Sequence, residues 1–166
     1  MSYPYRNSPW YALAFAAFAG DQAAKSYVDM STPLGWSHEV TPFFNLVHVL
    51  NPGAAYSFLA GAGGWQRWFF LVIALSASVW LAWLLAKPLH RLEAMAYSLV
   101  LGGATGNAFD RAVRGQVIDY LDFHLRGWHW PAFNIADIAI VSGAVALVLR
   151  SLVKVEGSGA APKEAR

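Results

Sequence analysis

The sequence contains no cysteine, and only 13% of its 166 residues are charged. The absence of cysteine excludes thiol nucleophiles, disulfides and thiolate metal sites. The chain also lacks a G-x-S-x-G nucleophile motif, and its five histidines lack the two-histidine helix spacing of zinc proteases. A formal net charge of only +2 does not favour nucleic acid as a partner. These absences argue against cysteine hydrolases, serine hydrolases built on that motif, zinc proteases and nucleic-acid-binding proteins.

Apolar side chains are what the chain has in abundance. Hydrophobic residues make up 57% of it, including eight tryptophans, and the mean hydropathy is +0.37. One soluble core of this length could not bury so much apolar surface. A hydrocarbon layer about 30 Å thick needs roughly 20 helical residues per crossing. Four segments meet that requirement: residues 10–28, 68–86, 92–109 and 134–153.

Basic residues near the segment ends set the expected orientation, because Lys and Arg collect on the cytoplasmic side of membrane proteins. If the four helices alternate in direction, one side receives Arg6, Lys87, Arg91, Arg150, Lys154, Lys163 and Arg166. We therefore expect a multi-pass membrane protein with both termini in the cytoplasm. Residues 1–155 are expected to form one membrane domain, and residues 156–166 a disordered tail.

The first segment is expected to stay in the membrane rather than to be removed as a signal sequence. Its apolar stretch is followed by Asp21 and Lys25 on the same helix, and not by a small-residue cleavage site.

Two connections are long enough to carry structure of their own. Residues 29–65 contain helix-breaking prolines and glycines around the aromatic and β-branched run 43–50, which predicts a short β element. Residues 111–133 mix Trp128, Trp130 and other aromatic residues with charges, as is typical of a segment in the membrane interface. The predicted fold is all-α and polytopic, with four transmembrane helices, a small extracytoplasmic β element and an interfacial segment.

Polar residues of the predicted helices converge on the outer end of the bundle. Asp21 and Lys25 lie four apart on the first helix, Asp110 lies near the end of the third, and Asp137 begins the fourth. Ionisable groups at membrane depth persist where they pair, relay protons or do chemistry. For Asp21 and Lys25 a structural ion pair is the simpler interpretation, and direct participation in chemistry is the alternative.

The third helix carries a second polar set, since Asn107, Asp110 and Arg111 share one face at i, i+3 and i+4. Small residues before them, including Gly102 and Gly103, are explained by close helix packing. For Asn107 and Arg111, hydrogen bonding to a substrate backbone or to a loop stands beside simple helix termination.

Asp119 and Asp137 are the candidates for chemistry. Asn134 and Asp137 also have the spacing of a helix-capping pair, which is the structural alternative for Asp137. Asp119 alone would be an ordinary exposed acid in a loop, and Asp122 is expected to be one. If two carboxylates face each other, one holds a proton while the other stays anionic. Such a dyad can activate water against a carbonyl and protonate the leaving amine, without a metal or a covalent intermediate.

An alternative catalytic pair is Ser57 with Lys25. Its weakness is that Asp21 lies within reach of Lys25 and should keep the amine protonated.

Five sequence motifs occur in order along the chain: D-Q-A-A-K at 21–25, N-P-G-A-A-Y-S at 51–57, G-G-A-T-G-N-A-F-D-R at 102–111, G-Q-V-I-D-Y at 115–120 and F-N-I-A-D at 133–137. In these motifs the chain resembles the lipoprotein signal peptidase family, also called signal peptidase II. The resemblance implies an aspartic endopeptidase of the bacterial inner membrane with its active site near the outer leaflet. It implies removal of signal peptides from prolipoproteins by a cut just before a diacylglyceryl-modified cysteine. No cofactor, metal or nucleic acid is expected, and the partners would be prolipoproteins and membrane lipids, with the enzyme a monomer.

The resemblance also assigns roles to residues of this sequence. Asp119 and Asp137 would be the catalytic pair. The residues expected to shape the site or hold substrate are Asn51, Gly53, Asn107, Arg111 and Asn134, supported by Asp21, Lys25 and Asp110. Two departures are visible: Ala24 stands where a hydroxyl residue is usual, and Tyr56 and Tyr120 stand where Phe is common. Neither departure touches the proposed dyad.

Two functions from other classes also place carboxylates among apolar helices. A small transporter or proton-coupled channel subunit would usually be built from repeated halves with its site near the midplane, and the sequence shows no repeat. A structural scaffold would use both aspartates for stability or assembly instead of chemistry.

Overall fold

The computed structural model describes residues 7–53, 58–59 and 61–158, with side chains described up to residue 152. It contains four helices and a four-stranded antiparallel sheet in the order β1-β2-β3-β4. In chain order these elements are α1 (Ser8–Ser31), β1 (Ser37–Thr41), β2 (Phe44–Asn51), α2 (Gln66–Leu85), α3 (Arg91–Val113), β3 (Val117–Leu125), β4 (Trp128–His129) and α4 (Ile135–Ser158). Four helices with a small β element were predicted, and this arrangement is confirmed.

Helix α3 is the centre of the bundle, and it contacts α1, α2 and α4. It begins with a capping box formed by His90 and Glu93. Glycine lets its neighbours approach closely: a Cβ added at Gly102 would lie 2.5 Å from the Ala14 carbonyl oxygen of α1. On the other side, a Cβ at Gly143 of α4 would lie 2.6 Å from the Ala96 carbonyl oxygen of α3. The helices are therefore held together by backbone-to-backbone approach, as in membrane bundles.

The outer surface of the bundle is apolar. Large apolar side chains such as Val79 on α2 and Val141 on α4 are 72% and 60% exposed. Within the described residues, two helical stretches are long and apolar enough to cross a membrane, Gln66–Leu85 and Ile135–Leu152. Helices α1 and α3 bury charged residues against each other, among them Lys25 and Asp110. That all four helices cross the membrane stays a prediction.

The sheet lies at the end of the bundle where α1 and α3 finish and α4 begins. The predicted aromatic run 43–50 corresponds to β2. Residues 117–125 and 128–129 of the predicted interfacial segment 111–133 form strands of the sheet, and that this segment lies in the membrane interface stays a prediction. Strand β3 pairs with β2, with Val49 opposite Asp119 and Asn51 opposite Val117. This pairing joins residues about 70 positions apart in sequence, which local composition does not reveal.

Helix α4 continues to Ser158, past the predicted end of the segment at residue 153. The first residues of the predicted tail, 156–158, are therefore helical. The remainder of that tail, 159–166, lies outside the described residues.

Candidate active site

Asp119 and Asp137 come together at one pocket, although they lie on different elements. Asp119 is the third residue of β3, the strand that follows α3 in the chain. Asp137 is in the first turn of α4. Both carboxylates line a cavity of about 600 Å³, which is also lined by Asn51, Asn107 and Arg111. Strand β3 thus places Asp119 beside the N-terminus of α4, where Asp137 lies.

The Asp119 carboxylate is held by two asparagine amides. Asn51 Nδ2 donates to its Oδ2 at 3.0 Å, and Asn134 Nδ2 donates to its Oδ1 at 2.7 Å. The residue is only 2% exposed. Burial, and next the nearby charge of Asp137, raise the pKa of Asp119 from 3.8 to about 7, against the lowering effect of the two amides. Near neutral pH this carboxyl is therefore close to half protonated.

Asp137 is fixed by both side-chain and backbone contacts. Asn107 Nδ2 donates to Asp137 Oδ1 at 2.8 Å. The backbone amide of Asn134 donates to Asp137 Oδ2 at 3.3 Å, and the Asp137 amide donates back to Asn134 Oδ1 at 3.0 Å. The capping interpretation is therefore correct, and it coexists with a place in the pocket wall. The reciprocal cap fixes the direction of the carboxylate.

Asn134 connects the two acids. Its side chain is fully buried, and it accepts from the Asp137 amide while donating to the Asp119 carboxylate. The same Nδ2 lies 3.3 Å from the carbonyl oxygen of Ile118 and 3.4 Å from Asn107 Oδ1. One asparagine therefore contacts the helix start, the strand and the third helix, so it sets their relative positions at the dyad.

A buried charge cluster lies behind the pocket. Lys25 Nζ is 2.8 Å from Asp21 Oδ2, 2.8 Å from Asp110 Oδ2 and 2.8 Å from Asn107 Oδ1, and all three charged side chains are fully buried. Asp21 Oδ1 also accepts from the backbone amide of Ala136 at 2.9 Å. The ion pair with Asp21 was predicted, whereas Asp110 was not recognised as the second carboxylate partner. These contacts tie α1, α3 and α4 together, as the structural interpretation of the pair requires.

The cluster also orients Asn107. Because its Oδ1 accepts from Lys25, its Nδ2 is turned toward Asp137. Lys25 thus acts on the dyad through Asn107 and uses its amine protons in three contacts. The alternative catalytic pair of Lys25 with Ser57 cannot be placed, because Ser57 lies outside the described residues.

Arg111 orders the chain that follows β2. Its Nη2 donates to the carbonyl oxygen of Gly53 at 2.6 Å and its Nη1 to that of Asn107 at 3.2 Å. The Gly53 amide in turn donates to Asn51 Oδ1 at 3.0 Å, which orients the amide group of Asn51 toward Asp119. The hydrogen bond to a loop, one of the roles left open for Arg111, is present. Its buried Nε has no hydrogen-bond partner among the described residues.

The prediction that Asp122 is an exposed loop acid is wrong. Asp122 is 7% exposed, accepts from Asn45 Nδ2 at 2.9 Å, and lies 2.9 Å from His129 Nδ1. Its burial follows from the register that places it opposite Asn45 on β2. No alternation of period two marks this acid, because Asp119 and Asp122 stand three positions apart in β3.

One departure from the family pattern makes a contact of its own. The hydroxyl of Tyr120, which Phe would lack, accepts from the backbone amide of Ile135 at 3.3 Å. Burial raises the pKa of this phenol to about 12, so it stays protonated. The other tyrosine that departs from the pattern, Tyr56, lies outside the described residues.

Comparisons with known proteins agree with one another. A family model described as signal peptidase (SPase) II matches residues 13–153. A lipoprotein signal peptidase of Serratia marcescens is 52% identical over 148 residues, which cover 88% of this chain and 87% of the relative. The lipoprotein signal peptidase of Paraburkholderia phytofirmans is 51% identical over 152 residues, covering 91% and 88% respectively.

The fold is also similar to solved structures. Two bacterial membrane enzyme structures obtained by the in meso method are each 30% identical to this chain, with TM-scores of 0.82 and 0.77. The first comparison covers 100% of this chain and 99% of the solved chain, and the second covers 92% and 97%.

Proposed function

The chain belongs to the signal peptidase II family, and from that premise we propose that it cleaves prolipoproteins by an aspartic mechanism at Asp119 and Asp137. As a member of that family it is a membrane peptidase that removes signal peptides from prolipoproteins. The proposal adds the chemistry, the bond that is cut and the location. The cut would fall just before a diacylglyceryl-modified cysteine, at the bacterial inner membrane.

The observation that carries the proposal is that two carboxylates from distant elements line one pocket and are held by asparagine amides. Asn51 and Asn134 bind Asp119, and Asn107 binds Asp137. A purely structural pair of acids would need cations beside it, yet the lysine of this region contacts Asp21 and Asp110 instead. The amides fix the carboxylates, and among the described residues no cation contacts either carboxylate directly, which favours retention of one shared proton.

A dyad with one proton can hydrolyse a peptide bond with water alone. The ionised carboxylate takes a proton from water, the resulting hydroxide adds to the carbonyl carbon, and the other carboxyl gives its proton to the carbonyl oxygen. The resulting gem-diol collapses as the C–N bond breaks: the leaving amine takes up the proton that came from water, and one hydroxyl of the gem-diol returns its proton to the carboxylate that had protonated the carbonyl oxygen. The products are a carboxylic acid and a free amine, and the dyad again holds one proton.

The remaining site residues have supporting roles in this proposal. Asn51, Asn107 and Asn134 hold the carboxylates and could offer amide groups to an extended peptide. Arg111 lines the cavity and holds the carbonyl oxygen of Gly53. Asp21, Lys25 and Asp110 form the buried cluster that orients Asn107.

Membrane placement follows from the apolar surface of the bundle. All four helices would cross the bilayer, with both termini in the cytoplasm and the sheet on the outer side, and the enzyme would act as a monomer. The dyad lies where the sheet meets the helix ends, so it would sit near the outer leaflet. A substrate anchored by acyl chains and an apolar signal helix would present its cleavage point at that depth.

The proposed activity is tested by incubating the purified protein in detergent with a lipidated precursor peptide and no ion gradient. We expect two products, the second of which begins with the lipid-modified cysteine, identified by mass spectrometry. Absence of cleavage under these conditions would favour the transporter or scaffold interpretation.

The proposed orientation is tested with single cysteines, because the chain contains none of its own. Leu34, before β1, and Ala86, at the end of α2, are both exposed and lie at opposite ends of the bundle. In spheroplasts a membrane-impermeant maleimide should label Leu34→Cys but not Ala86→Cys. Labelling of Ala86→Cys alone would reverse the orientation.

A further inference from the structure

The wall of the dyad pocket includes a short segment that comes directly from the edge of the sheet. Trp130 and Phe133 line the cavity that contains Asp119 and Asp137, and they also line a neighbouring groove of about 470 Å³. The segment begins where β4 ends, so the placement of Trp130 depends on how β4 is held.

Strand β4 has little backbone structure to hold it. It consists only of Trp128 and His129, both exposed, and it forms the edge of the sheet. Its pairing with β3 is limited to His124 opposite His129 and Leu125 opposite Trp128. The amide of Trp130 adds one further hydrogen bond, to the carbonyl oxygen of Phe123 at 2.8 Å. Short edge strands of this kind open readily unless side chains secure them.

Side-chain contacts that run from β4 through β3 to β2 hold β4 in place. His129 Nδ1 lies 2.9 Å from both carboxylate oxygens of Asp122 on β3. Asp122 also accepts from Asn45 Nδ2 of β2 at 2.9 Å, and the His129 ring stacks on His124 at 5.0 Å between centroids. Asp122 is buried, whereas the His129 side chain is 53% exposed. The buried carboxylate is therefore an anchor for an edge residue that solvent would otherwise leave mobile.

We propose that Asp122 and His129 are positioning residues, whose contact holds Trp130 in the wall of the dyad pocket and thereby sets how tightly substrate binds. This inference rests on the proposed function, because it assumes that the cavity at Asp119 and Asp137 receives the peptide. The proposal gives Asp122 a role in substrate binding, although Asp122 is not a member of the catalytic pair.

The pair is separate from the chemistry. The described hydrogen-bond partners of Asp119 and Asp137 are asparagines and the helix backbone, and neither Asp122 nor His129 is among them. Loosening β4 should therefore change binding of substrate in the ground state and the transition state alike. Such a change raises KM and leaves kcat nearly constant.

The direct test compares His129→Ala with His129→Gln in cleavage of a chemically defined lipidated precursor peptide. Loss of a hydrogen bond to a charged group corresponds to a rise in KM of about tenfold, with kcat within roughly twofold of the unmodified protein. His129→Gln keeps a donor that can reach Asp122, and it should recover most of the lost affinity. His38→Ala is the matched control, because His38 is an exposed histidine on β1 at the opposite edge of the sheet.

A double-mutant cycle distinguishes positioning from a general structural role. If His129 acts through Trp130, His129→Ala should raise KM no further in a Trp130→Ala background. A second readout is the ¹⁹F resonance of 5-fluorotryptophan at position 130, which should broaden or shift in His129→Ala and not in His38→Ala. This spectrum reports on the wall even in a protein with no cleavage activity.

Three results would overturn the proposal: an unchanged KM in His129→Ala, a fall in kcat equal to the change in kcat/KM, or additive effects of the two substitutions. If His129→Ala loses its fold, the KM of Trp130→Ala decides the matter in its place: an unchanged KM there would overturn the proposal, because Trp130 would then not serve as the wall that binds substrate. Failure of the unmodified protein to cleave the peptide would instead refute the proposed function, so the two failures are distinguishable.

Discussion

Replacing Asp119 by asparagine should make the protein more stable, relative to the unmodified protein, at pH 8 than at pH 5. The Asp119 carboxyl has a pKa of about 7 in the folded protein, against 3.8 for the free group, because it is buried beside Asp137. The folded state therefore binds this proton more tightly than the unfolded state does. Between these two pKa values the unfolding free energy falls by about 1.4 kcal/mol per pH unit, and it is constant below and above them.

The size of the effect follows from the pH interval. From pH 5 to about pH 7 the unmodified protein loses about 3 kcal/mol of unfolding free energy through this group, and nothing further up to pH 8. Asp119→Asn removes the titration. Relative to the unmodified protein, it should therefore gain about 3 kcal/mol on going from pH 5 to pH 8, or about 5–10 °C in melting temperature. The amide NH₂ of the new asparagine would face the Nδ2 donor of Asn51 or Asn134, which is unfavourable. This contact does not depend on pH, so it cancels from the difference.

The assay is thermal unfolding in detergent at pH 5 and pH 8, with Glu39→Gln as control. Glu39 is an exposed acid on β1, so its replacement should leave the melting temperature nearly unchanged at both pH values. The reasoning is refuted if the difference between Asp119→Asn and the unmodified protein is the same at both pH values. That result would mean that burial does not raise the pKa of Asp119.

Three further outcomes are expected. The value of kcat/KM for cleavage should fall about tenfold per unit as pH rises above about 7, because the dyad then loses its shared proton, and a flat profile to pH 9 would contradict the assignment. Lys25→Met should lower the unfolding free energy by about 3–5 kcal/mol, because it leaves the buried carboxylates of Asp21 and Asp110 without this cation. An unchanged melting temperature would contradict the structural role of the cluster. Gly102→Ala should destabilise by about 1–3 kcal/mol, because its Cβ meets the Ala14 carbonyl oxygen, whereas Gly20→Ala, with nothing within 4 Å, should be neutral or gain up to about 1 kcal/mol, and equal effects would exclude close packing as the cause.

The helices and the main strand were predictable because their signals are local. Long apolar runs predict helices such as α2, and the aromatic run 43–50 predicts β2 without knowledge of any partner. The ion pair of Asp21 with Lys25 was equally accessible, since four residues on a helix bring two side chains together.

The missed features depend on contacts between distant parts of the chain. Asp110 joins Lys25 from another helix, 85 positions away, and the burial of Asp122 depends on its register against Asn45. No local pattern fixes which strands pair or in which register, because register is set by the whole sheet. For the same reason, the sequence could single out Asp119 and Asp137 and suggest that they face each other, but it could not show that both line one pocket.

The most direct test of the central claim is the rate of precursor cleavage by Asp119→Asn and Asp137→Asn, each measured beside Glu39→Gln. Both asparagine variants keep the shape of the side chain, and each should remain folded by circular dichroism and elution volume. We expect each to lose at least about 100-fold in kcat/KM, because one member of the acid–base pair is gone, while Glu39→Gln cleaves at the unmodified rate. Cleavage at the native rate by either folded dyad variant would contradict the account.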